Sequence, residues 1–147
     1  MSLLRPAAAP QPVPSPHPIQ PVPGPSYQPG VCNIGPAEIR RRQAGAIAGT
    51  IVTIVVAVVI FALGLPHPVR LLIALPAGGA LVGWLQAVLH FCVGFARLGV
   101  FNFGEIGPME RIADARAHRA DQRRAAQMIG VALLGGLLIG LVAVLLP

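Results

Sequence analysis

Of the 147 residues, 54% are hydrophobic and only 11% are charged, against about a quarter charged in an ordinary soluble domain. Such a composition excludes a conventional water-exposed fold, and the length leaves one membrane domain with no room for a separate globular enzyme. The formal charge of +6 is carried by eleven basic residues, all arginine, and these flank apolar stretches instead of forming a basic patch interleaved with aromatics, so nucleic acid is not an expected partner.

Residues 1–31 read as a cytoplasmic Pro-rich tail. Ten prolines fall within the first 30 residues, several alternating as in Pro10-Gln11-Pro12-Val13-Pro14; fixed φ values and missing amide donors forbid helix and sheet there and favour an extended, disordered chain. The tail is a solvated spacer or a docking arm for an aromatic-lined groove on a cytoplasmic partner. A single Arg followed by prolines, with no continuous apolar run, is not a cleavable signal peptide, so Cys32 is expected to persist as a free thiol.

Three long stretches without acidic residues follow, at about residues 44–65, 71–96 and 125–146. Each is long enough to cross a hydrocarbon layer of about 30 Å at ~1.5 Å per helical residue. The segment Ile34-Gly35-Pro36-Ala37-Glu38 before the first span returns as Ile106-Gly107-Pro108-Met109-Glu110 before the third. Proline suits the first helical position and a carboxylate the first turn, so both read as helix starts. Arg40, Arg41 and Arg42 then lie at the lipid phosphates, as do Arg123 and Arg124 before the third span. The connection 64–70 is short enough to make spans one and two an antiparallel hairpin. The connection 97–124 is long, Ala- and Arg-rich and helix-permissive; it is expected to form a cytoplasmic polar or amphipathic helix, with Phe101 and Phe103 anchoring its turn at the membrane interface. Ten arginines lie before the first span or between the second and third, against Arg70 alone in the other connection. The positive-inside bias therefore puts the N-terminus in the cytoplasm and the C-terminus outside.

Each span carries glycines four apart, Gly45 and Gly49, Gly79 and Gly83, Gly136 and Gly140, a spacing that lets helix backbones approach closely. In the second span, at about 100° per residue, Gly79, Gly83, Gln86 and His90 share one face with Pro76, Gly94 and Arg97. Polar groups at that depth are costly against lipid and call for protein or a hydrated crevice. Gln86 is expected to hydrogen-bond Thr50 or Thr53 of the first span. Cys32, His90 and Cys92 are weak candidates for a metal; His90 and Cys92 point about 160° apart on an ideal helix, and the thiols form no CxxC motif. Walker, GxGxxG, HExxH and GxSxG patterns are absent, and no cofactor or catalytic residue is expected.

Cys32, Glu38-Ile39 with the arginines after them, Leu85-Gln86, His90-Phe91-Cys92 and Gly99-Val100-Phe101-Asn102-Phe103-Gly104 together resemble a group of small bacterial inner-membrane proteins of unassigned function. The resemblance covers about residues 32–147 and implies an inner-membrane location, with no activity attached. The expected protein is all-α, integral to the membrane and non-enzymatic: a structural or accessory subunit that associates with itself or with a larger complex through glycine faces. The alternatives are a cytoplasmic-face thiol or metal sensor using Cys32 and Cys92, and a small oligomeric pore or transporter lined by Gln86 and His90.

Overall fold

A computed structural model describes residues 26–147; the extended form expected of residues 1–25 lies outside them. The described chain is mostly helical. Helix α1 (Pro36–Ala62) begins with Pro36 in its first turn and Glu38 beside it. A 3-10 segment (His67–Ile73) runs directly into α2 (Ala74–Val88), and α3 (Val93–Leu98) is one and a half turns long. Strands β1 (Val100–Phe101) and β2 (Glu110–Arg111) pair antiparallel, and α4 (Ala115–Leu145) closes the fold. Three helical stretches, Pro36–Ala62, His67–Val88 and Ala115–Leu145, are long and apolar enough to cross a membrane.

Helix α2 lies between the other two long helices and presents a small-residue face to each. On one side, a Cβ added at Gly83 would lie 3.0 Å from Cα and Cβ of Ala46, and one added at Gly49 would lie 3.2 Å from Cα of Ala80. On the other, a Cβ at Gly136 would meet the Ala74 carbonyl oxygen at 2.7 Å and Gly78 Cα at 2.8 Å, and one at Gly140 would meet Cβ of Ala74 at 2.9 Å. Ala74 and Gly78 are separated from Ala80 and Gly83 by roughly half a helical revolution, which is why α2 can serve both neighbours. Close backbone approach brings many atoms of the facing helices into dispersion contact.

At the end away from the arginine-rich segments, Ile60, Ile73 and Ala143 form a small apolar core with Phe61 and Leu65 packed on it. There Arg70, buried with 7% exposure, lies over the Phe61 ring at 4.6 Å and donates from Nη1 to the Leu146 carbonyl, while His67 Nδ1–H donates to the Val144 carbonyl at 2.8 Å. A cation and a second donor thus satisfy carbonyls left open at the C-terminal end of α4.

Several boundaries differ from the sequence expectation. The second span does not continue to residue 96: α2 stops at Val88, and the chain turns at His90, whose φ is +52°. The polar helix between spans two and three is not a separate element, because α4 runs unbroken from the arginine-rich segment into the apolar stretch. Its start is not at Pro108: Glu110 and Arg111 are a strand, and Asp114 caps the helix by accepting the Arg116 amide at 2.9 Å. Residues 26–31, assigned to the tail, are folded against α4.

A candidate functional site in the polar knot at the arginine-rich end

The residues singled out in the sequence converge where α1 starts and α2 stops. Two Asn-x-Gly stretches, Asn33-Ile34-Gly35 and Asn102-Phe103-Gly104, lie side by side: the Asn102 amide donates to the Asn33 carbonyl at 3.1 Å and the Gly35 amide to the Asn102 carbonyl at 2.7 Å. The strands come this close only because Gly35 has no side chain; a Cβ there would lie 2.7 Å from the Phe103 backbone. The Asn102 side chain closes its own loop, accepting the Gly104 amide at 2.9 Å and donating to the Glu105 carbonyl at 2.8 Å.

Asn33 is fully buried and acts as a backbone surrogate for the interrupted second span. Its Oδ1 accepts the Cys92 amide at 2.6 Å, its Nδ2 donates to the Cys92 carbonyl at 3.1 Å, and its own amide donates to the His90 carbonyl at 3.2 Å. Gln86 completes the repair from the other side, accepting the Val93 amide on Oε1 at 3.1 Å. Between them these two side chains satisfy donors that a helix running on to residue 96 would have paired internally. The break thus has a tertiary cause. Histidine is among the few non-glycine residues that tolerate positive φ.

The same knot holds two buried carboxylates. Glu38, 2% exposed, receives Arg42 at 3.2 Å and Arg41 at 3.8 Å, and the Arg42 guanidinium sits 5.8 Å from the centre of the Phe95 ring on α3. Asp121 is fully buried at the start of α4, before its apolar part, and Oδ1 accepts the Gly30 amide at 2.6 Å. Its Oδ2 and the Tyr27 hydroxyl are both buried and lack a partner at hydrogen-bonding geometry. Burial pushes the Asp121 carboxyl above its ordinary value, outweighing the Gly30 amide, Tyr27, Asn33 and His118, which pull it down. Burial and then the Asp121 charge push the Tyr27 phenol up to about 12. Tyr27 also stacks on Phe101 with ring centres 4.7 Å apart. Gly99 ends α3 at φ +68°, with the His118 ring against it; His118 Nε2–H donates to the Ala96 carbonyl at 3.0 Å.

The sequence candidates fare differently. Gly49, Gly83, Gly136 and Gly140 lie in helix contacts, whereas Gly45 and Gly79 face open space. Gln86 and His90 do not share a lining: the first is buried and committed to Val93, while His90 is exposed at the turn. It is Trp84, not Gln86, that bonds Thr50, donating from Nε1 at 3.1 Å; Thr50 and Thr53 turn their own protons to Ala46 and Gly49. Cys32 and Cys92 are free thiols. Burial pushes the Cys32 thiol up, away from the reactive thiolate, and Cys92 is almost wholly enclosed. Among the described residues, no three His, Cys, Asp or Glu side chains gather as a metal site. Arg40 and Arg41 are exposed near the start of α1 and Arg123 on α4, with Arg42 and Arg124 half-buried. Asn33, Tyr27 and Asp121 also belong to the knot; the duplicated Asn-x-Gly was a sequence signal for Asn33, and Tyr27 and Asp121 carried none. Chemically the knot holds backbone in place, with Cys92 enclosed and Cys32 half-buried.

No protein-family model matches this chain, and neither a curated protein nor a solved structure does.

Proposed function

We propose that this chain is a three-span integral protein of a bacterial inner membrane, N-terminus inside and C-terminus outside, that acts without catalysis as a structural or accessory subunit. It works through helix association with itself or a larger membrane complex, while Arg40, Arg41, Arg123 and Arg124 rest against lipid phosphates on the cytoplasmic side. One observation carries this reading: only Glu38, Ala46 and Ile60 of the 27 residues of α1 are buried. Its outer face, where Ile47, Ile51, Val55 and Val58 are more than half exposed, has no partner within the chain and suits another apolar helix.

The test is purification of the tagged full chain from native membranes in mild detergent, followed by mass measurement of the intact particle. The expected result is a discrete homo-oligomer or a stoichiometric membrane partner, lost in Ile51→Trp, which alters the exposed face of α1. A lone monomer in the wild type would overturn the proposal.

A further inference from the structure

Two cavities adjoin as one seam along α4, the first against α3 and the second against α2. One, of about 430 Å³, lies at the arginine-rich end beside Arg97 and Gln122 and reaches Ile129. The other, of about 390 Å³, starts at the same Ile129 and continues past Gly78, Gly79, Leu133 and Leu137. On α4, Gln122, Ala126, Ile129, Leu133 and Leu137 are spaced three or four apart, so the lining forms a single stripe that changes from polar to apolar. From Ala125 to Leu137 the stripe covers roughly 18 Å at ~1.5 Å per residue, close to one leaflet of a hydrocarbon layer about 30 Å thick.

Its polar end carries an uncommitted cation. The ion pairs among the described residues both use Glu38, with Arg41 and Arg42; Arg97 has no carboxylate, is exposed, and sits at the mouth of the upper cavity. Arg119 and Arg123 are exposed on the same part of α4. The apolar end is roomy because Gly79 has no side chain and a Cβ there would meet nothing within 4 Å.

We infer that this seam is a binding site for one anionic glycerophospholipid. Its phosphodiester is held by Arg97 with Gln122, and one acyl chain is laid along Ile129, Leu133 and Leu137 over Gly79. A cationic, hydrogen-bonding mouth that opens onto an apolar channel one leaflet deep matches the two chemistries of that molecule in their order. A second copy of the chain would cover the apolar channel but would leave Arg97 without an anion. The inference rests on the membrane reading above.

Native mass spectrometry of the full chain in mild detergent, titrated with phosphatidylglycerol or with phosphatidylcholine of the same acyl chains, tests it. The wild type should retain one phosphatidylglycerol in preference to phosphatidylcholine by about tenfold, because both offer the phosphodiester but choline adds a cation beside Arg97, Arg119 and Arg123, and like charges at close range cost on the order of 1 kcal/mol. Arg97→Gln should remove the preference. Gly79→Leu, which fills the channel without touching the α2–α4 backbone contact, should lower retention of both lipids, while Gly45→Leu on α1, outside the lining of both cavities, should leave lipid per chain unchanged. Equal retention of both lipids by the wild type, or undiminished binding in Gly79→Leu with an unchanged melting temperature, would overturn the site. A dimer that disappears in Gly79→Leu would assign the channel to a second copy and overturn it too. Alkaline carbonate extraction separates the two levels: a chain that leaves with the soluble fraction defeats the membrane reading and the site together, whereas an embedded chain without lipid preference defeats the site alone.

Discussion

At the scale of single residues, the decisive groups are polar and buried, and their value lies in what would be stranded without them. Asn33 pairs both backbone groups of Cys92. Asn33→Ala should destabilise the fold by about 1–3 kcal/mol for each group left unpaired, read as a lowered melting temperature in detergent, while exposed Asn-free positions such as Val88→Leu shift it little. Asp121 gives a pH signature. Its carboxyl is raised by burial, so the folded state favours the protonated form. The resulting stability is full below the ordinary carboxylate pKa and is lost as the pH climbs through the raised value. Hydrogen exchange at the Gly30 amide should therefore show tighter docking of residues 26–35 at acid pH than at neutral pH, and Asp121→Asn should flatten the dependence. A flat profile in the wild type would contradict the assignment. None of this was visible locally, because Asn33 acts on Cys92 across 59 residues and Asp121 on Gly30 across 91. The sequence shows the residues but not which distant backbone they meet.

At the scale of elements, apolar length and small-residue spacing were legible, and helix ends were not. The three long apolar helices follow directly from composition and length, and Pro36 with Glu38 marks the start of α1 as a local rule would have it. The same rule failed at Pro108, where pairing of Glu110 and Arg111 with β1 took precedence. No Pro or Gly between Val88 and Phe91 announces the end of α2; Asn33 pairs the freed backbone from outside the helix, and Gln86, within its last turn, pairs the Val93 amide beyond it. Gln86→Leu should thus strand the Val93 amide and cost about 1–3 kcal/mol, more than the ~0.6 kcal/mol typical of an interhelical hydrogen bond in a membrane. Glycine pairs occur in all three long helices, so their spacing did not tell which helices meet or that Gly45 and Gly79 would face open space. Gly136→Leu should be strongly destabilising, by at least the ~1–3 kcal/mol usual for overpacking, since its Cβ would fall within 2.8 Å of backbone; Gly79→Leu should be tolerated. Equal melting temperatures for Gly136→Leu and Gly79→Leu would show that α2 and α4 do not meet there.

At the scale of the whole molecule, α2 joins α1 and α4 through opposite faces, a polar knot locks one end, and Arg70 with His67 locks the other. Both locks are made of groups that satisfy interrupted backbone, and neither presents an activated nucleophile. The arrangement leaves the outer face of α1 and the seam along α4 open, and these are the surfaces on which association with protein and lipid would act. The arginines concentrate at the knot end, so the proposal stands on which side of a bilayer that end lies. The most direct measurement is a pair of topology reporters in the full chain expressed in bacteria, one fused before Ser2 and one after Pro147. The expected result is activity of a cytoplasm-dependent reporter only at the N-terminal fusion and of a periplasm-dependent reporter only at the C-terminal fusion. Activity of the same reporter at both fusions would place both termini on one side, remove a span and contradict the account.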